Sequence, residues 1–172
     1  MMRTDNLPFF KYNPNIYKSD YLVFKENICQ CCGKEVSIYI QNMYTLASID
    51  CIYLDCVASG TAAKKFNGSF VQDADKLDND EARQELFYRT PGYWSWQGEQ
   101  WVGCCNDYCA YIGPVGTKEL EALKIADELF EADGSFNGIK NAREYMAKEG
   151  SLCGYLFQCM HCGKYHLRLD SD

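Results

Sequence analysis

Histidine is almost missing from this chain: its 172 residues hold only His161 and His166. A catalytic metal site made of several imidazoles therefore cannot be assembled within one copy. Positive charge is also in deficit, with a net charge of -7 and a pI near 4.9. Such a surface offers no field for holding a phosphate backbone, which argues against a nucleic-acid module and favours basic partners instead. No apolar stretch reaches the roughly 20 residues of a membrane span, and the opening Met1-Met2-Arg3-Thr4-Asp5-Asn6-Leu7-Pro8 has no signal-like apolar run. The expected location is the cytoplasm. Catalytic motifs are missing too. There is no Walker-type phosphate loop, no Gly-x-Ser-x-Gly elbow, and no His-x-Glu upstream of Pro-Cys-x-x-Cys as a zinc deaminase requires. The expectation is a protein that is not an enzyme.

Cysteine, by contrast, is abundant, with eleven residues. A reducing compartment disfavours a disulfide scaffold, and an odd count would leave one thiol unpaired, so metal coordination is the simpler explanation. The strongest signal is an internal near-repeat: Cys29-Gln30-Cys31-Cys32-Gly33-Lys34 and Cys159-Met160-His161-Cys162-Gly163-Lys164 both read C-x-x-C-G-K. Two residues between thiols let a tight turn place both sulfurs on one ion, and the glycine lets the chain turn back into a strand. Each half-site needs two more ligands. Cys51, Cys56, Cys104, Cys105 and Cys109 are the candidates; proximity favours the Cys51 to Cys56 region for Cys29 and Cys32, and the pair Cys105 and Cys109 for Cys159 and Cys162. One or two structural Zn2+ ions are expected. Iron-sulfur chemistry would call for denser cysteine runs. Cys31, Cys51, Cys104 and Cys153 read equally well as small buried apolar residues, and His166, four residues after Cys162, reads as a strand histidine rather than a ligand. Dithiol exchange prefers an exposed first cysteine at a helix start, whereas both pairs here precede Gly-Lys and a strand.

The fold class expected is mixed α/β (α+β), with zinc-ribbon-like strand turns packed against several helices in a single domain over 1-172. A cysteine knuckle occupies about 21-66 and a cysteine ribbon about 104-170. Strands are expected at Tyr21 to Phe24, Val36 to Ile40, Tyr155 to Phe157 and Tyr165 to Leu169. Helices are expected at Thr61 to Phe66, Asp80 to Arg89, Lys118 to Ala132 and Gly138 to Glu149, the last two from apolar residues at helical spacing. Between Val71 and Tyr88 six acidic residues face only Lys76 and Arg83, a solvated face or a partner surface.

All three tryptophans fall within Trp94-Ser95-Trp96-Gln97-Gly98-Glu99-Gln100-Trp101. Large aromatics anchor interfaces or plug cores, and Trp94, Trp96, Gln97, Glu99 and Trp101 are candidate partner-binding residues on the first view.

Several separated motifs carry a resemblance: Leu7-Pro8-x-Phe10-x-Tyr12-x-Pro14, Cys29-x-x-Cys32-Gly33, Cys56-x-Ala58-x-Gly60-x-Ala62-Ala63-x-x-Phe66, Arg89-Thr90-Pro91-Gly92, Trp96-Gln97-x-Glu99-x-Trp101 and Cys159-x-x-Cys162-Gly163. Together they resemble the CbrC family, bacterial proteins whose named member is linked to colicin tolerance. The resemblance implies cysteine pairs at Cys29 and Cys32, Cys105 and Cys109, and Cys159 and Cys162. It also implies a C-x-x-C ending at Cys56 whose first position falls on Tyr53 here, so that either Cys51 replaces the missing thiol, Asp55 contributes an oxygen, or the first metal site is absent or weak. The function expected is a zinc-stabilised binding or accessory protein that acts through a protein partner of basic character. The alternative is a thiol-based redox or metal-responsive regulator.

Overall fold

The computed structural model describes residues 7–172; the opening residues 1–6, part of the segment read above for a leader, lie outside it. Two hairpins of one design frame the chain. Strands β1 (Val23–Ile28) and β2 (Glu35–Ile40) pair antiparallel, as do β9 (Leu152–Gln158) and β10 (Tyr165–Ser171). Each is joined by a C-x-x-C-G-K turn. In the first, the Cys29 amide donates to the Lys34 carbonyl at 2.9 Å and the Gly33 amide to the Cys29 carbonyl at 2.8 Å; the second repeats this from Cys159 to Lys164 and from Gly163 to Cys159, both at 2.9 Å. Gly33 and Gly163 share a φ of 73°, a left-handed conformation that a Cβ would strain.

Around each hairpin the sequence builds a different partner. In the first half, β3 (Ile52–Tyr53) extends the sheet in the order β1-β2-β3 and runs directly into α1 (Leu54–Ala58), followed by α2 (Thr61–Phe66). A parallel pair, β4 (Asp73–Ala74) with β5 (Gln100–Trp101), and α3 (Asp80–Arg89) occupy the middle. Helix α3 has the ends its sequence calls for: the Asn79 side chain accepts from the Ala82 amide, Asp80 and Glu81 fill the first turn, and Arg89 pairs with Glu85 in the last. In the second half a tight hairpin, β6 (Gly103–Cys104) and β7 (Asp107–Tyr108), leads into β8 (Ala110–Val115), which joins the sheet in the order β10-β9-β8.

The mixed architecture of short helices on small antiparallel sheets matches the expected fold class, but the region before β9 departs from expectation. In place of helices over 118–132 and 138–149 the chain forms α4 (Thr117–Ala122), α5 (Ala126–Leu129) and α6 (Ala142–Tyr145). Lys124, at φ 60°, breaks the first; Asn137, Gly138 and Asn141, all at positive φ, precede the remnant of the second. Isolated helices of this length are marginal in water, and here the apolar residues are satisfied another way. Leu120, Ile125, Ala126, Phe130, Ala142 and Met146 pack with Val115, Leu156 and Leu167 of the sheet. Arg143 then holds the short turns together, reaching Glu121 at 3.2 Å and Asp127 at 2.7 Å.

A second apolar cluster is aromatic. Tyr93 stacks on Tyr111 at 4.2 Å between ring centroids, with Trp101, Tyr155 and Phe157 around them, and the Trp101 indole donates to the Cys109 carbonyl at 2.9 Å. The arm of residues 7–15 crosses this layer. Tyr12 donates its hydroxyl to Asp107 at 2.5 Å, and the Asn13 side chain donates to the carbonyls of Pro91 and Gly92. Among the described residues no helix is long and apolar enough to cross a membrane.

Candidate metal centres

Among the described residues the sulfurs of Cys104, Cys105, Cys159 and Cys162 all lie within 4.8 Å of one another. Two separations, Cys104 to Cys105 and Cys104 to Cys162, are 3.8 Å. That is the edge, about 3.8 Å, of a tetrahedron of sulfurs around a metal at about 2.3 Å. The knuckle between β9 and β10 supplies two of the four. The other two come from the turn of the β6–β7 hairpin, where Cys105 and Asn106 both take positive φ, 54° and 53°. Such a two-residue turn matches the twist of its strands and sets the sulfurs of the consecutive cysteines side by side.

Asp107 locks the two hairpins in register. It accepts from Tyr12 and lies 2.9 Å from His161 Nε2, with Lys11 at 3.9 Å. Burial pushes its carboxyl up, but these donors outweigh it and hold the group below its ordinary value. The first cysteine of the knuckle is the most acidic thiol of the set. Burial opposes its ionisation, yet the amides of Cys162 and His161 and the thiols of Cys162 and Cys104 bring Cys159 down to about 6. Burial raises the Cys104 thiol instead.

The first knuckle gathers three sulfurs, those of Cys29, Cys32 and Cys56, all within 4.8 Å. Cys29 accepts the amides of Cys31 at 3.4 Å and Tyr53 at 3.2 Å, and lies 4.0 Å from Cys56. Against burial, its backbone donors lower its thiol below the ordinary value, as at Cys159. Cys56 sits on α1, where burial and the neighbouring thiols of Cys32 and Cys31 raise it.

The remaining expected ligands fall outside these groups. Cys51 is buried beside the trio, its amide and carbonyl held by Gln30, and burial pushes its thiol up to about 11. Cys109 is fully buried at the edge of the aromatic cluster, pushed up to about 12 by burial and by Cys159. Cys104, which the sequence left as readily apolar as ligating, is drawn into the group of four. The signal in the sequence was Asn106, a turn residue placed to reverse the chain right after two consecutive cysteines. His161 turns to Asp107 and His166 has an unpartnered ring nitrogen; neither joins a sulfur group.

The tryptophan motif is divided by the fold. Trp101 is fully buried and Glu99 nearly so, while Trp94 and Trp96 are exposed. Glu99 accepts from the Tyr44 hydroxyl and fills the space beside Gly92, where a Cβ would come within 2.1 Å of its Oε1. Burial raises its carboxyl above the ordinary value. Gln97 donates to the Ser171 carbonyl. Trp94 and Trp96 line a groove of about 920 Å³ shared with Lys18, Asp20, Lys148 and Glu149.

A family model described as an uncharacterised protein family, UPF0167, matches residues 7–171, which take in both knuckles and everything between them. The chain belongs to the UPF0167 family. A UPF0167 protein of Pseudomonas aeruginosa, PA1536, is 35% identical over 95% of this chain and 97% of its own length. UPF0167 proteins of Mycobacterium bovis (Mb2317) and Mycobacterium tuberculosis (MT2352) are each 29% identical over 91% of this chain and 89% of theirs. No solved structure matches significantly. For this UPF0167 member, then, the sulfur groups are the chemical starting point.

Proposed function

We propose that this chain is a zinc-stabilised binding or accessory protein, non-catalytic, that works through a protein partner in a reducing compartment such as the cytoplasm. The observation that carries it is the group of four thiols spanning two hairpins. Four thiolates close a tetrahedral site, leave no position for substrate, and tie together strands that a modest core would hold less firmly. Zinc suits four sulfurs in this arrangement, and Cys29, Cys32 and Cys56 give a second ion three donors. The partner surface in this reading is the groove of Trp94 and Trp96, two large exposed aromatics on a protein of net charge -7, which favours a basic protein. The motif-by-motif resemblance to the CbrC family extends the reading to tolerance of a bacterial toxin.

Elemental analysis of the full chain purified without added metal tests the first part, with two zinc ions per chain expected. For the second, the double variant Trp94→Ala/Trp96→Ala should keep its zinc and melting temperature while losing a salt-sensitive association with its partner. A zinc-free, stably folded protein would overturn the proposal.

A further inference from the structure

We infer that the N-terminal centre is an open metal site: three protein thiolates hold the ion and the fourth position accepts a small thiol from solution. This rests on the zinc reading above and divides its two centres by chemistry. Among the described residues no fourth cysteine, histidine, aspartate or glutamate lies within 4.8 Å of all three sulfurs. The place for one is identifiable. Tyr53 holds the N-cap position of α1, three before Cys56 and without a side-chain cap bond, and side chains at that position reach forward over the first turn toward the position Cys56 occupies. A cysteine there would complete a C-x-x-C pair. The phenol instead leaves the coordination to the trio, while the Tyr53 amide donates to Cys29.

Two further observations point to an incoming anionic sulfur. Cys32 is exposed, so the trio meets solvent on that side. Lys65 places its ammonium on the knuckle, 2.8 Å from each of the Gln30 and Cys31 carbonyls, and adds positive charge beside the site. A thiol that enters binds as its thiolate, releases its proton to solvent and displaces a water; no electron is transferred. A soft donor matches the three already present. Cys31, whose amide bonds Cys29 and whose thiol neighbours Cys56 without lying within 4.8 Å of all three sulfurs, is the internal competitor.

The test removes the more weakly held metal from the full chain with a chelator, refills with cobalt(II), and follows the visible spectrum during titration with 2-mercaptoethanol. The cobalt signal is assigned by its loss in Cys32→Ser. The expected result is a three-sulfur spectrum that converts to a four-sulfur spectrum as thiol is added. Tyr53→Cys should show the four-sulfur spectrum from the start, ignore added thiol, and hold zinc at least about tenfold tighter, one added thiolate ligand being worth that much or more. A wild-type spectrum that is already four-sulfur, ignores thiol and drops to three sulfurs in Cys31→Ser or Cys51→Ser overturns the inference. Failure of both centres to take any metal overturns the zinc reading itself, and this inference with it.

Discussion

The two knuckles have the same six-residue pattern, the same turn hydrogen bonds and the same left-handed glycine, yet one gathers four sulfurs and the other three. The difference lies in the element that faces them. Opposite the second knuckle stands a tight hairpin whose turn presents two consecutive cysteines; opposite the first stands the start of a short helix that presents one. A knuckle supplies half a site cheaply and repeatedly, but whether the site closes is decided by a separate piece of chain. On the reading proposed above, the group of four would act as a structural rivet and the group of three as an exchange point.

The largest effect that would sharpen this contrast is at Cys159. In Cys159→Ser the C-terminal centre should lose its ion and the β9–β10 hairpin its tie to β6–β7, destabilising the fold by more than about 4 kcal/mol. Cys29→Ser, at the equivalent place in the first knuckle, should lose its metal at a smaller cost. Zinc content and thermal unfolding read both, and equal losses of stability would erase the distinction. Next comes Cys109, buried against the closed centre but outside its group of four. Cys109→Ala should leave the zinc count unchanged and cost about 1 kcal/mol, the price of a small buried void. A drop of one zinc would instead make Cys109 a ligand and break the assignment to Cys104 and Cys105.

The smallest effect concerns the contact between the first half and the middle of the chain, where Tyr44 reaches Glu99. Burial raises the Glu99 carboxyl above its ordinary value of 4.5, so its ionisation is harder in the folded chain than in the unfolded one. Its favourable contribution is therefore complete below 4.5 and is lost as pH rises through the folded value. Glu99→Gln should flatten this part of the profile, so that the melting temperature of wild type falls by a few degrees relative to the variant between pH 4.5 and 7. Both metals should stay in place; loss of the N-terminal one would show that this contact is coupled to the first knuckle.

Local signals were read well from the sequence, and long-range ones were not. The knuckles and helices α2 and α3 are written in nearest neighbours: a C-x-x-C-G-K turn, an asparagine cap, a proline after the last turn. The choice among Cys104, Cys105 and Cys109 depends on how a six-residue hairpin docks against a turn more than fifty residues later, and no periodicity records that. Lys118 to Glu149 misled for a related reason. Its apolar spacing is helical, but β8, β9 and β10 bury those side chains without a continuous helix, and Lys124 and Asn141 turn the chain sharply. The tryptophan motif held two roles at once, since the chain bends at Trp96 and Gln97 and turns at Gly98, leaving Trp96 at the groove and Trp101 in the core.

The arm of residues 7–15 carries a consequence for how the chain is made. Leu7 and Phe10 pack into the core of the first half, but the long-range hydrogen bonds of Tyr12, Asn13 and Asn15 run to Pro91, Gly92, Asp107, Tyr111 and Ile112, about eighty to a hundred residues downstream. During synthesis Tyr12, Asn13 and Asn15 emerge well before these partners and cannot make those bonds until β8 has appeared. The first knuckle can gather its three sulfurs as soon as α1 is out, before those bonds form. The stretch from Tyr12 to Asn15 thus settles late, and it settles by clamping the hairpin that carries Cys104 and Cys105.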